Sequence, residues 1–230
     1  MCAICAKAGR WRHAVASPPD VGRGVAEAVA PRPAANTPDE ALRLLMEGNA
    51  RYVANEPMER DYSAGRPSRA LGQAPFAAVV GCSDSRVLAE MVFDRGPGDI
   101  FIVRVAGNFV TQKGLGSLEF GVAMLGAKVI MVLGHTNCGA VDATVRSLQT
   151  GEIYPGHIDE LVQSMAPGIR PVLSEPGEDL IHRAMVANVR YNVELLRNSP
   201  PILAGMVERG ELRVEGGVYD LLTGRVELLD

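Results

Sequence analysis

The sequence has little cysteine, no long apolar run and no strong charge of either sign. Four cysteines in 230 residues are too few for a disulfide scaffold, so we expect a protein of a reducing compartment. The net charge of -4 gives no reason to expect nucleic acid or an anionic membrane as a partner. The longest apolar runs, such as Lys128–Gly134 (KVIMVLG), have the length of buried strands and are too short to cross a bilayer.

Residues 1–36 are predicted to be a flexible extension, because stretches such as SPPDVGRG and APRPAANTP are rich in proline, glycine and alanine. The start of the chain has basic residues but lacks the apolar segment of a secretory signal, so the expected location is the cytoplasm. Cys2 and Cys5 have Cys-x-x-Cys spacing without the strand–helix context of a redox motif. We therefore interpret them as incidental thiols.

The two ends of the region 37–230 carry clear local signals. Thr37 is a good helix N-cap, Pro38 suits the first helical position, and Glu40 completes a capping box. This pattern predicts an N-terminal helical arm. At the other end, two segments of alternating polarity surround Thr223-Gly224, which predicts a hairpin-like end.

Between these ends, strand-like and helix-like segments alternate along the chain. Continuous β-branched runs separated by amphipathic helices indicate a mainly parallel central sheet flanked by helices, an α/β fold. The predicted strands are 76–81, 99–107 and 128–134, and the predicted helices are 85–94, 116–126, 138–149 and 179–198. We expect residues 37–230 to form one domain.

Two of the predicted strands end in possible metal ligands. Cys82 follows the first strand, and His135 and Cys138 follow the third. Ligands collect at the carboxyl ends of parallel strands, so these three side chains are expected to meet there. Two thiolates and an imidazole suit Zn²⁺ at roughly 2.0 to 2.3 Å. With no fourth soft ligand nearby, the set matches a catalytic zinc site, where bound water ionises at a pH of about 7.

Asp84 and Arg86 follow the first ligand closely. The Asp84 carboxylate could orient a zinc-bound water, or it could itself take the fourth coordination position. Arg86 could hold that carboxylate in a bidentate pair and keep it off the metal. Taken singly, Cys82 could be inert packing and His135 a core histidine, but the combination at two strand ends favours a metal site. His157 and His182 are interpreted as surface or helix residues.

Around these residues the chain resembles the β-class carbonic anhydrases. The resemblance is carried by CSDSRV, FDRGPGDIFIVRVAGN and GSLEFGVAMLGAKVIMVLGHTNCGAV, and it extends over about residues 37–230. It implies a zinc lyase that reversibly hydrates carbon dioxide to bicarbonate and a proton at a zinc-bound hydroxide. It also implies one Zn²⁺ per chain on Cys82, His135 and Cys138, with Asp84 and Arg86 as the catalytic dyad.

The resemblance extends to substrate-binding residues and assembly. Gln73 matches a glutamine that donates to substrate, Phe101 and Phe120 match apolar pocket walls, and Gly139 is also expected in the pocket. Position 120 is often tyrosine in the family. Members form homodimers or tetramers of dimers, with sites lined by both subunits. Val79 stands where a bicarbonate-regulated branch has tryptophan, which together with Gln73 favours the plant-like, unregulated branch.

Three other functions are compatible with parts of this pattern. Hydrolases of COS and CS₂ resemble this family and use the same three ligands. A zinc-stabilised protein without turnover is a second alternative, although both dyad residues are present. A thiol redox protein is the weakest alternative, because the histidine between the thiols suits metal binding better. No proton-shuttle residue is assigned.

Overall fold

The computed structural model describes residues 35–63 and 65–230. The predicted extension, including Cys2 and Cys5, therefore lies almost entirely outside the described residues. Helix α1 spans Pro38–Val53 and begins as predicted, because the Thr37 hydroxyl accepts a hydrogen bond from the Glu40 amide at 3.2 Å. The Glu40 carboxylate accepts from the Asn36 amide at 2.9 Å, one residue earlier than the usual partner in a capping box.

A five-stranded sheet lies at the centre of the fold, which confirms the predicted α/β architecture. The strands are β1 (Ala77–Gly81), β2 (Ile100–Arg104), β3 (Val129–His135), β4 (Arg213–Tyr219) and β5 (Val226–Leu229). Their order is β2-β1-β3-β4-β5, with the first four parallel and β5 antiparallel to β4. Strands β1 and β3 are buried at every position, as expected for central strands covered on both faces.

Helices cover both faces of the sheet. The further helices are α2 (Arg66–Arg69), α3 (Ala89–Val92), α4 (Gln112–Ala123), α5 (Gly139–Thr150), α6 (Ile158–Ile169), α7 (Leu180–Arg197) and α8 (Leu203–Glu208), with a 3₁₀ turn at Arg170–Ser174. Helices α1 and α3 pack on one face. Helices α4, α7 and α8 pack on the other. None of the helices in the described part of the chain is long and apolar enough to span a membrane.

The helix predicted over 85–94 is the main local error, because only the four residues of α3 are helical there. The Leu88 backbone is extended at the N-cap. The preceding carbonyls of Asp84 and Val87 accept hydrogen bonds from the Arg104 side chain, so this stretch is held as a loop. Helices α2, α6 and α8 were not predicted.

The strand register places the candidate ligands side by side. Strands β1 and β3 are adjacent and parallel, with Gly81 opposite Leu133. Cys82, the next residue after Gly81, is therefore level with Gly134 and next to His135. The tertiary fold thus brings together two segments more than 50 residues apart in the chain.

Candidate metal centre

Cys82, His135 and Cys138 form a compact, buried group at the carboxyl end of the sheet. Their ligand atoms all lie within 4.8 Å of one another, and the two sulfur atoms are 4.0 Å apart. The three residues are 5%, 0% and 2% exposed, respectively. His135 ends β3, and Asn137 has a φ of 56°, a left-handed turn that carries the chain to Cys138 at the start of α5. The geometry suits a three-ligand site for one metal ion.

The imidazole of His135 is oriented for a ligand. Its Nδ1 lies 2.9 Å from the Thr136 carbonyl oxygen, which can only accept, so Nδ1 carries the proton. Nε2 then carries the lone pair. Within the described part of the chain, this buried nitrogen has no hydrogen-bond partner. A buried acceptor facing two thiols and left unsatisfied fits a metal ligand, whose other ring nitrogen normally donates to a carbonyl or carboxylate.

The pKa values of the two thiols are shifted in opposite directions. The hydrogen bond from Cys138 lowers the pKa of Cys82 to about 4, and the Cys82 sulfur in turn raises the pKa of Cys138. The Cys82 sulfur also accepts backbone N–H groups of Asp84 at 3.4 Å and Gly107 at 3.3 Å. The metal-free pair therefore holds one proton between two sulfurs. A bound cation would displace that proton, because metal binding requires thiolates.

Gly107 has a steric reason to be glycine. Its φ is 88°, and a Cβ atom there would lie 2.2 Å from the Met165 sulfur. The Asn188 side chain donates to the Gly107 carbonyl at 2.8 Å and holds this peptide in place. Only a residue without a side chain allows the backbone N–H to approach the Cys82 sulfur here.

Asp84 and Arg86 form a bidentate pair beside the ligand group. Arg86 Nε donates to Oδ1 at 2.9 Å, and Nη2 donates to Oδ2 at 2.7 Å. Asp84 Oδ2 lies 3.9 Å from His135 Nε2. The Arg86 hydrogen bonds hold the pKa of the Asp84 carboxyl well below its usual range, although partial burial opposes this. Asp84 is thus an ionised acceptor held next to the three ligand atoms.

Comparison with known proteins agrees with this geometry. Residues 77–226 match the family model for carbonic anhydrase. Over 194 residues the chain is 37% identical to a carbonic anhydrase of Mycolicibacterium smegmatis, with 84% of this chain and 94% of that protein covered. The chain belongs to the β-class carbonic anhydrases. Carbonic anhydrase 2 of Mycobacterium tuberculosis is 36% identical, with coverage of 84% and 93%.

Solved structures of the β class share the fold. The Coccomyxa β-carbonic anhydrase in complex with acetazolamide has a TM-score of 0.62 and 31% identity, covering 73% of this chain and 78% of that one. A tetrameric β-carbonic anhydrase of the ascomycete Sordaria macrospora has a TM-score of 0.62 and 28% identity, covering 71% and 85%. The class is zinc-dependent, in agreement with the chemistry of the Cys82, His135 and Cys138 donor set.

One further residue contacts this carbonic anhydrase site and was not predicted. Arg104, at the end of β2, donates through Nε to the Cys82 carbonyl at 2.9 Å. Its Nη2 donates to the carbonyls of Asp84 at 2.8 Å and Val87 at 3.0 Å. The available signal was its position, because β2 ends at the same edge of the sheet as β1 and β3.

The predicted pocket residues divide into two groups. Gly139 lines a cavity of about 570 Å³ together with His135 and Cys138. The same cavity is lined by His182, which the sequence placed simply on the surface or a helix. Gln73 is exposed, Phe101 packs with α4, and Phe120 is 50% exposed. The cavity beside the ligands is lined by none of these last three residues.

Proposed function

We propose that this protein catalyses the reversible hydration of carbon dioxide to bicarbonate and a proton, with one Zn²⁺ held by Cys82, His135 and Cys138. The observation that carries the proposal is the buried, unpartnered Nε2 of His135, which faces two thiols whose sulfur atoms are 4.0 Å apart. Membership of the β-class carbonic anhydrases supports it. When bound in such a site, zinc supplies a water that ionises at a pH of about 7.

Asp84 and Arg86 are proposed as the catalytic dyad. An ionised carboxylate can only accept hydrogen bonds, so Asp84 selects and orients a hydroxyl donor beside the ligand group. Arg86 fixes both carboxylate oxygens at 2.7 and 2.9 Å, which keeps Asp84 from turning towards the ligands. This pairing supports an open fourth coordination position in the resting protein. It also agrees with the plant-like, unregulated branch, for which Val79 and Gln73 remain the main argument.

The substrate pocket is proposed to include residues from a second copy of the chain. Carbon dioxide is small and apolar, so it needs an apolar slot with few polar groups. Phe101 and Phe120 would form that slot, Gln73 would donate to substrate oxygen, and Gly139 would line it beside the ligands. Phe120, in the last turn of α4, and Met124, its C-cap, are 50% and 56% exposed, which suits burial by a partner subunit.

We further propose a homodimer, or a tetramer of dimers, in the cytoplasm. The Sordaria relative is described as tetrameric, in line with such an assembly. A site with two thiolate ligands needs reduced cysteines, which a reducing compartment maintains. Residues 37–230 are proposed as the zinc domain and residues 1–36 as an extension to it.

Stopped-flow measurement of carbon dioxide hydration by the zinc-loaded protein, with Cys82→Ser as control, tests the proposal. We expect rapid hydration by the wild type, one zinc per chain, and loss of both in the variant. A fully zinc-loaded wild type without hydration activity would contradict the proposal. Carbonyl sulfide supplied to the same preparation then shows whether hydrolysis of that substrate is the activity instead.

A further inference from the structure

The backbone that carries Cys82 and Asp84 leaves the sheet at the metal centre, between these two residues. Beyond Gly81, the pairing of β1 with β2 continues through two more hydrogen bonds, from the Val105 amide to Gly81 and from the Ser83 amide to Val105, each 3.2 Å. Sheet pairing to β2 then ends. The following residues lack the regular hydrogen bonds of a strand or helix until α3 begins at Ala89.

The side chain of Arg104 supplies the missing contacts. Its guanidinium donates to the carbonyls of Cys82 at 2.9 Å, Asp84 at 2.8 Å and Val87 at 3.0 Å. These three carbonyls lie before, within and after the stretch that holds Asp84 and Arg86. In the part of the chain that the structure describes, no carboxylate pairs with Arg104, so its donors are directed to the loop backbone.

The loop geometry determines two features of the site. The Asp84 amide donates to the Cys82 sulfur at 3.4 Å, so the peptide at residue 84 must face the ligand. The Asp84 carboxylate must also lie beside His135, where Oδ2 is 3.9 Å from Nε2. Arg104 holds the Cys82 and Asp84 carbonyls, on either side of Ser83. A rotation of either peptide would therefore break an Arg104 contact.

We propose that Arg104 is a positioning residue of the metal centre, whose guanidinium holds the Cys82–Val87 backbone so that the Cys82 sulfur faces the metal and the Asp84 carboxylate stays beside it, paired with Arg86. This inference depends on the proposed metal site. It assigns a role to Arg104 through the loop backbone and places it outside the reacting atoms. The role requires arginine, because a planar fork with donors on separate nitrogen atoms spans several carbonyls, whereas a lysine ammonium is a single point.

Arg183 provides a matched control. It also donates to three backbone carbonyls, those of Val172 and Glu178 at 3.2 Å and Gly177 at 3.4 Å. These contacts hold the connection between α6 and α7, and none of them is made to the Cys82–Val87 loop; Arg183 also pairs with Glu175 at 3.7 Å. Arg183→Met and Arg104→Met therefore remove similar numbers of backbone contacts, but only the second removes contacts to the loop of Cys82 and Asp84.

The experiment compares the wild type, Arg104→Met, Arg104→Lys and Arg183→Met in their full-length form. Zinc affinity is measured by competition with a chromophoric chelator, and the Co²⁺-substituted proteins are compared by their visible absorption, which reports on ligand geometry. Melting temperature is recorded for each zinc-loaded protein. We expect both Arg104 variants to lose zinc affinity by ~10–100-fold, the range for residues that orient metal ligands, with shifted Co²⁺ bands. Arg183→Met should keep the wild-type affinity and spectrum even where its melting temperature falls.

Two results would overturn the inference. One is an Arg104→Lys variant with wild-type zinc affinity and Co²⁺ spectrum. The other is an Arg104→Met variant whose melting temperature falls while its zinc affinity and Co²⁺ spectrum stay those of the wild type, as expected for Arg183→Met. If Arg104→Met does not fold, Arg104→Lys decides by the same readouts. Failure of the proposed metal site is separate, because the wild type would then show no zinc or Co²⁺ binding to compare.

Discussion

Replacing Gly107 by alanine tests the packing that brings a backbone N–H to the Cys82 sulfur. A Cβ atom at this position would lie 2.2 Å from the sulfur and 3.0 Å from the Cε of Met165, and 3.3 Å from the Cβ of Ala140. A left-handed backbone costs a residue with a side chain about 1–2 kcal/mol. Forcing an extra methyl group into a packed core costs about 1–3 kcal/mol more. We therefore expect Gly107→Ala to lower the free energy of unfolding by about 2–5 kcal/mol.

Gly126→Ala separates the cost of the left-handed backbone from the cost of the contact with Met165. Gly126 has a φ of 84°, close to the 88° of Gly107, but a Cβ atom there would meet nothing within 4 Å. This variant should therefore carry only the backbone cost of about 1–2 kcal/mol. The difference between the two variants measures the contact with Met165.

Urea unfolding at saturating zinc and one fixed protein concentration gives these free energies. Chelator competition on the same samples reports zinc affinity. Gly107→Ala should also bind zinc more weakly. In the wild type the Gly107 N–H group donates to the Cys82 sulfur at 3.3 Å, and the backbone shift that relieves the clash would displace this group. Equal stability and equal zinc affinity in the two alanine variants would refute the reasoning.

Three further predictions concern the thiols, the dyad and the assembly. In metal-free protein at neutral pH, iodoacetamide should modify Cys82 faster than Cys138. The hydrogen bond from Cys138 lowers the pKa of Cys82 to about 4, whereas the pKa of Cys138 is raised. Mass spectrometry of the modified peptides gives the order of reaction. The folded-state pKa of Asp84 is depressed by Arg86, so the pair stabilises the protein above the unfolded pKa of about 3.9 and loses this contribution as the pH falls through the folded pKa. The difference in free energy of unfolding between wild type and Arg86→Met should therefore shrink in acid, and a difference independent of pH would contradict this assignment. Phe120→Glu should dissociate the assembly, as measured by light scattering, and lower the rate of carbon dioxide hydration. Leu222→Glu, at a residue that is 92% exposed, should do neither. An intact, active Phe120→Glu oligomer would place the interface elsewhere.

Local sequence signals were sufficient for several features of the protein. Thr37, Pro38 and Glu40 predicted the start of α1, and Thr223-Gly224 predicted the final antiparallel pair. Asp84 and Arg86 are two residues apart, so their pairing could be inferred without the fold. The meeting of Cys82 with His135 and Cys138 was also predictable, because parallel strands deliver the residues after their carboxyl ends to one edge of a sheet.

Long-range packing decided what the sequence left open. Arg104 reaches the Cys82–Val87 loop because β2 pairs with β1 in a register that sets Arg104 opposite Gly81. The hydrogen bonds from Arg104 to this loop also explain why only the four residues of α3 are helical within the helix predicted over 85–94. Gly107 is required because Met165, far away in the chain, packs against it. The sequence by itself determined which side chains could bind a metal, since residue type and strand-end position are local properties. Tertiary structure alone decided how their backbone is held and brought the two sulfur atoms to 4.0 Å, the contact that lowers the pKa of Cys82 and raises that of Cys138, since both depend on neighbours brought from other strands and helices.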